Sequence, residues 1–230
     1  MKLGIMQPYF LPYIGYFQLI KEVDKYVIYD DVNFIKGGWI NRNSLLLSGK
    51  IFLFTLILLK ASPNKLINEI YVSNNISKLL KTIHSAYQKA PYFSSVFPMI
   101  KQILEYEDKN LARYITHSLI QIADYLGFNT EFLYSSDIKE KDCSLKGQGK
   151  VINICTIMGA TQYINAIGGM ELYDKSEFEK TKIDLYFLKT KPIQYQQFKK
   201  PFIPNLSILD VLMFNSVEEI DKMLDEYELL

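Results

Sequence analysis

Apolar positions near the start of the chain come in short runs broken by prolines, a pattern that predicts strand, loop and helix in turn. Leu3, Gly4, Ile5 and Met6 predict the end of a buried strand. Pro8 and Pro12 then forbid ladder pairing and helix over the residues between them. From about Ile14 the apolar residues Phe17, Ile20 and Val23 recur at helical spacing, with charge confined to Lys21, Glu22 and Asp24, which predicts a helix of about three turns with Gly15 in its first turn. Lys25 to Val32 is β-branched and aromatic and ends in two carboxylates, Asp30 and Asp31, so it predicts a second strand and completes a β-α-β unit.

The nine-residue apolar run Ile51 to Leu59 is far shorter than the roughly twenty residues that cross a bilayer, and it predicts a buried central strand. Ser62-Pro63-Asn64 marks a turn and Leu66 to Val72 a short strand. Apolar spacing predicts helices over 76–89, 94–106 and 109–126, the last stopped by Gly127. Strand and helix then alternate again: strand 129–134, helix 147–158 closed by Gly159, strand 162–166, and Gly168-Gly169 entering a helix near Met170. Asp184 to Lys189 predicts a last strand, and 206–214 and 217–229 predict amphipathic helices. The fold class that follows is α/β, a Rossmann-like parallel sheet flanked by helices, with a mainly helical insertion and a helical C-terminus. Residues 1–75 and 128–230 form the α/β core, and 76–127 form a helical insertion or lid. Its Tyr87, Tyr92 and Phe93 either stack on a ligand or pack as core aromatics.

Open α/β sheets bind ligands in the crevice beyond the carboxyl ends of their strands, where a helix N-terminus offers unpaired N–H groups to an anion. That places Gln7, Tyr9, Tyr13, Gly15 and Tyr16 at the crevice, with each tyrosine alternatively packing the strand-helix corner. Parallel strands end on one side, so Asp30 and Asp31 are expected beside that loop, followed by Lys36, Gly37, Gly38, Trp39, Asn41 and Arg42. Adjacent residues of extended backbone point to opposite faces, so at most one of the two aspartates faces a ligand. Asn165, Gly168 and Gly169 repeat the arrangement at a second strand end, where glycine lets the backbone approach a ligand closely.

Composition narrows the function classes. The 230 residues are 49% hydrophobic and 22% charged with net charge +1, enough apolar content for a substantial core and too little charge asymmetry to mark a partner in duplex nucleic acid or an anionic membrane. A signal peptide is not predicted at the N-terminus, which Pro8 and Pro12 interrupt, so a cytoplasmic location is expected. Cys143 and Cys155 have no nearby histidine and predict neither a disulfide nor a zinc site, and no other metal site is predicted. His84 sits near a helix end, either as a partly buried structural residue or as a general base.

MQPYFLPYIGYFQLI and VIYDDVNFIKGGWINRN, together with YQKAPYF, YINAIGGMELY and LSILDVLMFN further on, resemble the WbqC-like family of bacterial surface-polysaccharide gene clusters. The resemblance implies a cytoplasmic transferase of O-antigen assembly that moves a glycyl, aminoacyl or other acyl group onto the amine of a nucleotide-linked dideoxy amino sugar. No cofactor follows from it beyond the acyl donor, a thioester or an aminoacyl carrier. Asp30 or Asp31 is then the expected base, with His84 as substitute, and Lys36 or Arg42 the expected partner of phosphate or carboxylate. Asn41 and the backbone of Gly37 and Gly38 are expected to steady the oxyanion.

Pro12-Tyr13-Ile14-Gly15-Tyr16 also resembles the layout of the His-x-Gly-His signature of nucleotidyltransferases and pantothenate synthetases, with tyrosine at both histidine positions. Tyrosine stays neutral near pH 7 and cannot replace an imidazolium, which disfavours adenylyl transfer. Magnesium-dependent activation of a carboxylate or sugar phosphate, and a non-catalytic sugar-nucleotide-binding protein, stay open as alternatives. So do the oligomeric state, including a homo-oligomer, and the identities of the sugar and the donor.

Overall fold

The computed structural model describes residues 1–198 and 201–230. In chain order the elements are β1 (Lys2–Met6), α1 (Ile14–Glu22), β2 (Lys25–Ile28), β3 (Arg42–Leu47), β4 (Lys50–Thr55), β5 (Leu58–Leu59), β6 (Tyr71–Val72), α2 (Ser77–Tyr87), α3 (Phe93–Glu105) and α4 (Leu111–Tyr125). There follow β7 (Glu131–Tyr134), α5 (Gly147–Ile157), β8 (Gln162–Ala166), α6 (Lys175–Glu179), β9 (Asp184–Thr190), α7 (Ile208–Phe214), α8 (Val217–Leu224) and β10 (Tyr227–Leu229).

The central sheet runs β10-β9-β8-β1-β2-β7, parallel except for β10. From β1 the chain builds outward through β2 to β7, then returns to β1's other side with β8. This is the doubly wound order, and the reversal puts a crevice beyond the ends of β1 and β8. Both faces of the sheet are buried. Leu3, Ile5, Val27, Tyr163, Leu185 and Phe187 face one apolar cluster, completed by Val151 and Ile154 of α5 and Phe178 of α6. Tyr26, Ile28, Ile164 and Leu188 face the other, with α1, α4 and α7. Strand residues alternate between the two clusters, as period two requires when helices cover both sides.

The helices of 76–127 contribute to that second cluster: Ile83, Ile103 and Leu119 share it with Phe17 and Leu209. Tyr87 is a core aromatic and not a stacking platform, because it is fully buried with its hydroxyl committed to Asp210, 3.0 Å away. Gly127, at φ +76°, ends α4 by letting Phe128 N–H reach the Ala123 carbonyl at 2.9 Å.

Five expected elements differ, one being the Leu66 to Val72 strand, which is a 3-10 turn at Ile67–Glu69 followed by the two-residue strand β6. The run Ile51 to Leu59 is not a buried central strand. Ser48 and Gly49, at φ 53° and 79°, form a two-residue turn that folds β4 back on β3, outside the main sheet. Ile51, Phe52 and Leu53 are exposed there, while Phe54 and Leu56 are buried. The strand expected to reach Val32 ends at Ile28, because Asp30 N–H turns back to the Ile28 carbonyl at 3.0 Å. Gly168 and Gly169 do not enter a helix near Met170 but lie inside a 3-10 turn, Ile167–Leu172. The last helix stops at Leu224, and Tyr227–Leu229 pairs antiparallel with β9, which closes that strand's edge.

One buried carboxylate ties the C-terminal part together. Asp210 on α7 accepts from the Tyr87 hydroxyl at 3.0 Å, the Tyr195 hydroxyl at 2.8 Å and Gln197 Nε2 at 2.7 Å. Burial pushes its carboxyl above the usual range, and the three donors oppose that. Asp210→Ala strands three buried donors and is expected to cost about 3 kcal/mol in urea denaturation; a midpoint equal to that of the unaltered protein would show that the clamp contributes nothing.

Candidate functional site

The segment between β1 and α1 is held open by its own backbone bonds. Phe10 and Leu11 are fully buried anchors, and Phe10 N–H donates to the Ile40 carbonyl at 3.0 Å. Leu11 sits at φ 46°, a left-handed conformation costly for a γ-branched residue. Its carbonyl accepts from Asn43 Nδ2 and Ser207 Oγ, both at 2.7 Å, and the Pro12 carbonyl accepts from Ile208 N–H at 2.7 Å. The loop is thereby rigid, and its tyrosines project from it.

Those side chains help form a cleft of about 560 Å³ beyond the ends of β1 and β8. Gln7, Tyr9, Tyr13 and Tyr16 line it together with Asn165, Gly168 and Gly169. Tyr9 stacks on Tyr16 with centroids 5.9 Å apart, and the Tyr16 hydroxyl donates to the Gln7 carbonyl at 2.7 Å. Gly15 lies under this wall: a Cβ there would come within 2.4 Å of both the Tyr13 ring and Thr190 Oγ1. Gly169 likewise gives room to Asn165, whose Nδ2 would be 2.8 Å from an added Cβ.

Burial pushes the phenols of Tyr9, Tyr13, Tyr16, Tyr29 and Tyr173 above their ordinary range, so each is a neutral group near pH 7. The helices that start at the cleft, α1 and α5, have no side-chain cap; in α1 the Tyr16 N–H already donates to the Tyr13 carbonyl at 3.1 Å, so its uncapped first-turn groups are those of Ile14 and Gly15.

The other expected residues are distributed differently. Trp39 lies with Tyr9 and Tyr13 on an adjoining hollow of about 370 Å³, and the Arg42 guanidinium lies 5.2 Å from its ring centroid while donating to the Gly37 carbonyl. Asn41 donates to the Leu56 carbonyl at 2.9 Å and is structural in that contact. Lys36 is exposed between β2 and β3 and does not line the cleft. His84 is exposed on α2, edge-on to Phe93 and Phe97 at 5.3 and 5.4 Å, and does not line it either.

Neither aspartate lines the cleft. Asp30 is buried and accepts from Ser136 N–H at 3.0 Å, Ser136 Oγ at 2.6 Å and Asn68 Nδ2 at 3.2 Å. One oxygen of Asp31 binds Lys141 Nζ at 2.5 Å and Lys150 Nζ at 3.0 Å. Burial alone would raise the Asp31 carboxyl, but its hydrogen-bond partners, led by Lys141, outweigh that and hold it below the usual range. Burial also pushes the Cys155 thiol up to about 12, far from thiolate. Among the described residues, no cluster of three or more His, Cys, Asp or Glu forms a metal site.

Sequence reasoning missed one wall. Tyr29, Gly147, Gln148 and Tyr173 all face the cleft, and Lys150 Nζ lies 4.9 Å from the Tyr29 ring centroid. Lys146-Gly147-Gln148-Gly149-Lys150, glycine and lysine at a helix start, is the signal that would have found it.

Comparison with known proteins then assigns the chain. The model of the WbqC-like protein family matches residues 7–222. The chain belongs to the WbqC-like protein family. That match covers the Pro-Tyr loop, the Asp30-Asp31 turn and the 165–173 turn together. The WbqC-like chain is also 28% identical over 219 residues to an uncharacterized protein of Mycobacterium tuberculosis, Rv1507c, with 93% of each chain covered. No solved structure matches this WbqC-like protein.

Two outcomes test the geometry. Gly15→Ala must displace both the Tyr13 ring and Thr190, so it is expected to keep the circular dichroism of the fold while changing the near-ultraviolet tyrosine signal; an unchanged signal would mean that the ring has slack there. Asp31→Asn leaves two lysines facing a neutral amide and is expected to cost about 3 kcal/mol at pH 7 in urea melts. Because the folded carboxyl titrates below its ordinary value of 3.8, the stabilisation is complete above that value and lost as pH falls through the lower folded one. The gap between Asp31→Asn and the unaltered protein should therefore narrow below about pH 4, and a gap that persists there would assign the loss to packing.

Proposed function

We propose that this WbqC-like protein is a transferase that acylates the amine of a nucleotide-linked amino sugar bound in the tyrosine cleft. Family membership is consistent with a role in polysaccharide biosynthesis. The observation that carries the reading is the meeting of two uncapped helix N-termini with a wall of neutral tyrosines at the point where strand order reverses. First-turn N–H groups of α1 and α5 suit phosphate oxygens, and the Tyr9 and Tyr16 rings suit a flat base or the C–H face of a sugar. Gln7 and Asn165 carry carboxamides, which both donate and accept, as hydroxyl groups need.

In the proposed reaction the sugar amine attacks the donor's carbonyl carbon, a C–N bond forms, and the donor's C–S or C–O bond breaks. The departing thiolate or alkoxide carries away the amine's proton. This route suits a cleft whose described walls hold no carboxylate and no imidazole. Asp30 and Asp31 then act by position: Asp30 fixes the turn at Ser136, and Asp31 anchors Lys150 beside Tyr29. No helix among the described residues is long and apolar enough to cross a membrane.

Purified protein is to be mixed with a nucleotide-linked 4-amino-4,6-dideoxyhexose and thioester or aminoacyl donors, and the product weighed by mass spectrometry. An amide is expected, and Tyr9→Ala is expected to lower its rate at least tenfold. Absence of amide across a broad donor panel, or pyrophosphate release with ATP or CTP in its place, would overturn the reading.

A further inference from the structure

A larger cavity, about 1270 Å³, is lined by Tyr13 and by described residues between β9 and α7, from Thr190 to Leu206. Its described walls combine aromatic rings, Tyr13, Tyr195, Phe198 and Phe202, with carboxamides of Gln194, Gln196 and Asn205. Among those described walls Lys191 is the one charged side chain, and the buried Asp210 carboxylate lies behind them, bonded to the lining residues Tyr195 and Gln197.

These walls are braced in this shape. Gln197 donates to the Ile203 carbonyl at 3.0 Å and accepts from Ile203 N–H at 2.9 Å, which ties together the two described stretches, up to 198 and from 201. Tyr195 and Phe202 meet edge to face at 5.0 Å, presenting rings at different angles. Asn205 holds φ 57°, a conformation that asparagine tolerates better than most residues, and it lines both this cavity and the hollow beside Trp39. Bracing of this kind lowers the ordering cost of binding.

From this geometry we infer that the larger cavity is a second ligand site, for a neutral saccharide. Sugar rings present apolar C–H faces, which lie on aromatic side chains, and rims of hydroxyls that donate and accept at once, which carboxamides satisfy in both directions. An anion meets the Asp210 carboxylate behind Tyr195 and Gln197, while Tyr13 and Ile14 bring the uncapped start of α1 to the same wall, so the phosphate arm of the test decides between an anion and a neutral ring. The cavity holds more than one hexose ring, and its shared wall at Tyr13 places a saccharide here next to whatever occupies the tyrosine cleft. The inference stands on this cavity's own lining, independently of the chemistry proposed for the cleft.

The test is an NMR titration of the full-length protein with two neutral disaccharides, N,N′-diacetylchitobiose and maltose, at about 10 mM, above a Kd of order 1 mM. UDP and inorganic phosphate are titrated in separate arms. At least one disaccharide is expected to shift amide signals of residues 191–197 and 202–206, with saturation transfer to its C–H protons. Gln196→Ala, at an exposed position, and Asn205→Gly, which keeps the backbone geometry, are each expected to weaken that binding about fivefold or more while leaving UDP shifts near Tyr29 and Gly147 intact. Disaccharides that leave this segment unshifted, equal affinity in both variants, or phosphate producing the same shifts would overturn the inference. UDP shifts at the cleft without saccharide shifts here sink only this site, and the converse sinks only the reading of the cleft.

Discussion

The carbonyl oxygen of Leu11 is the fastening on which the site depends. A left-handed conformation at a non-glycine residue costs of order 1–3 kcal/mol, and two hydrogen bonds on one acceptor, each worth about 1 kcal/mol, offset it. The donors come from far apart in sequence. Asn43 opens the β3-β4 hairpin, and Ser207 is also the N-cap of α7, accepting from Leu209 N–H at 3.3 Å. The hairpin, the C-terminal helices and the sheet's central strand therefore meet at one atom. From there Tyr9 and Tyr13 reach outward, with Tyr13 forming a wall of both large cavities.

Carboxylates serve this protein as fasteners more than as exposed reagents. Asp30 pins the turn after β2 to Ser136, Asp31 gathers Lys141 and Lys150, and Asp210 collects two tyrosines and a glutamine. Each is held by neutral or cationic donors, as burial of a charge demands, although the second carboxylate oxygen of Asp31 is buried without one among the described residues. The cleft is left to groups that stay neutral across the physiological range. Such a surface binds and orients a polar ligand without competing for its protons, and specificity then rests on shape and hydrogen-bond direction.

Position in the sheet explains why the cleft lies where it does. β1 is flanked by β2 on one side and β8 on the other, so the turns after β1 and β8 diverge and leave a gap. The same reversal brings residues near 7, 29, 147 and 168 round one opening. Tyr29 and Gln148 reach it because β2 and α5 both end or begin at that rim.

Local pattern was enough for the parts of the chain that carry their own periodicity. The Met6 strand end, the proline-broken loop, the α1 start at Ile14, the α4 stop at Gly127 and the Gln162–Ala166 strand are all legible from spacing, proline and glycine alone, as is the α/β class. Only the tertiary structure decided partners. An apolar run such as Ile51 to Leu59 has the same composition in a central strand as in an outlying hairpin, and the Ser48-Gly49 turn settled which. The carboxylates Asp30 and Asp31 look like free acids in a string of letters, since the groups that engage them, Asn68, Ser136, Lys141 and Lys150, are remote in sequence. Hydrogen bonds and ion pairs depend on distances that close only when the chain folds, whereas periodicity and backbone stereochemistry are properties of neighbours.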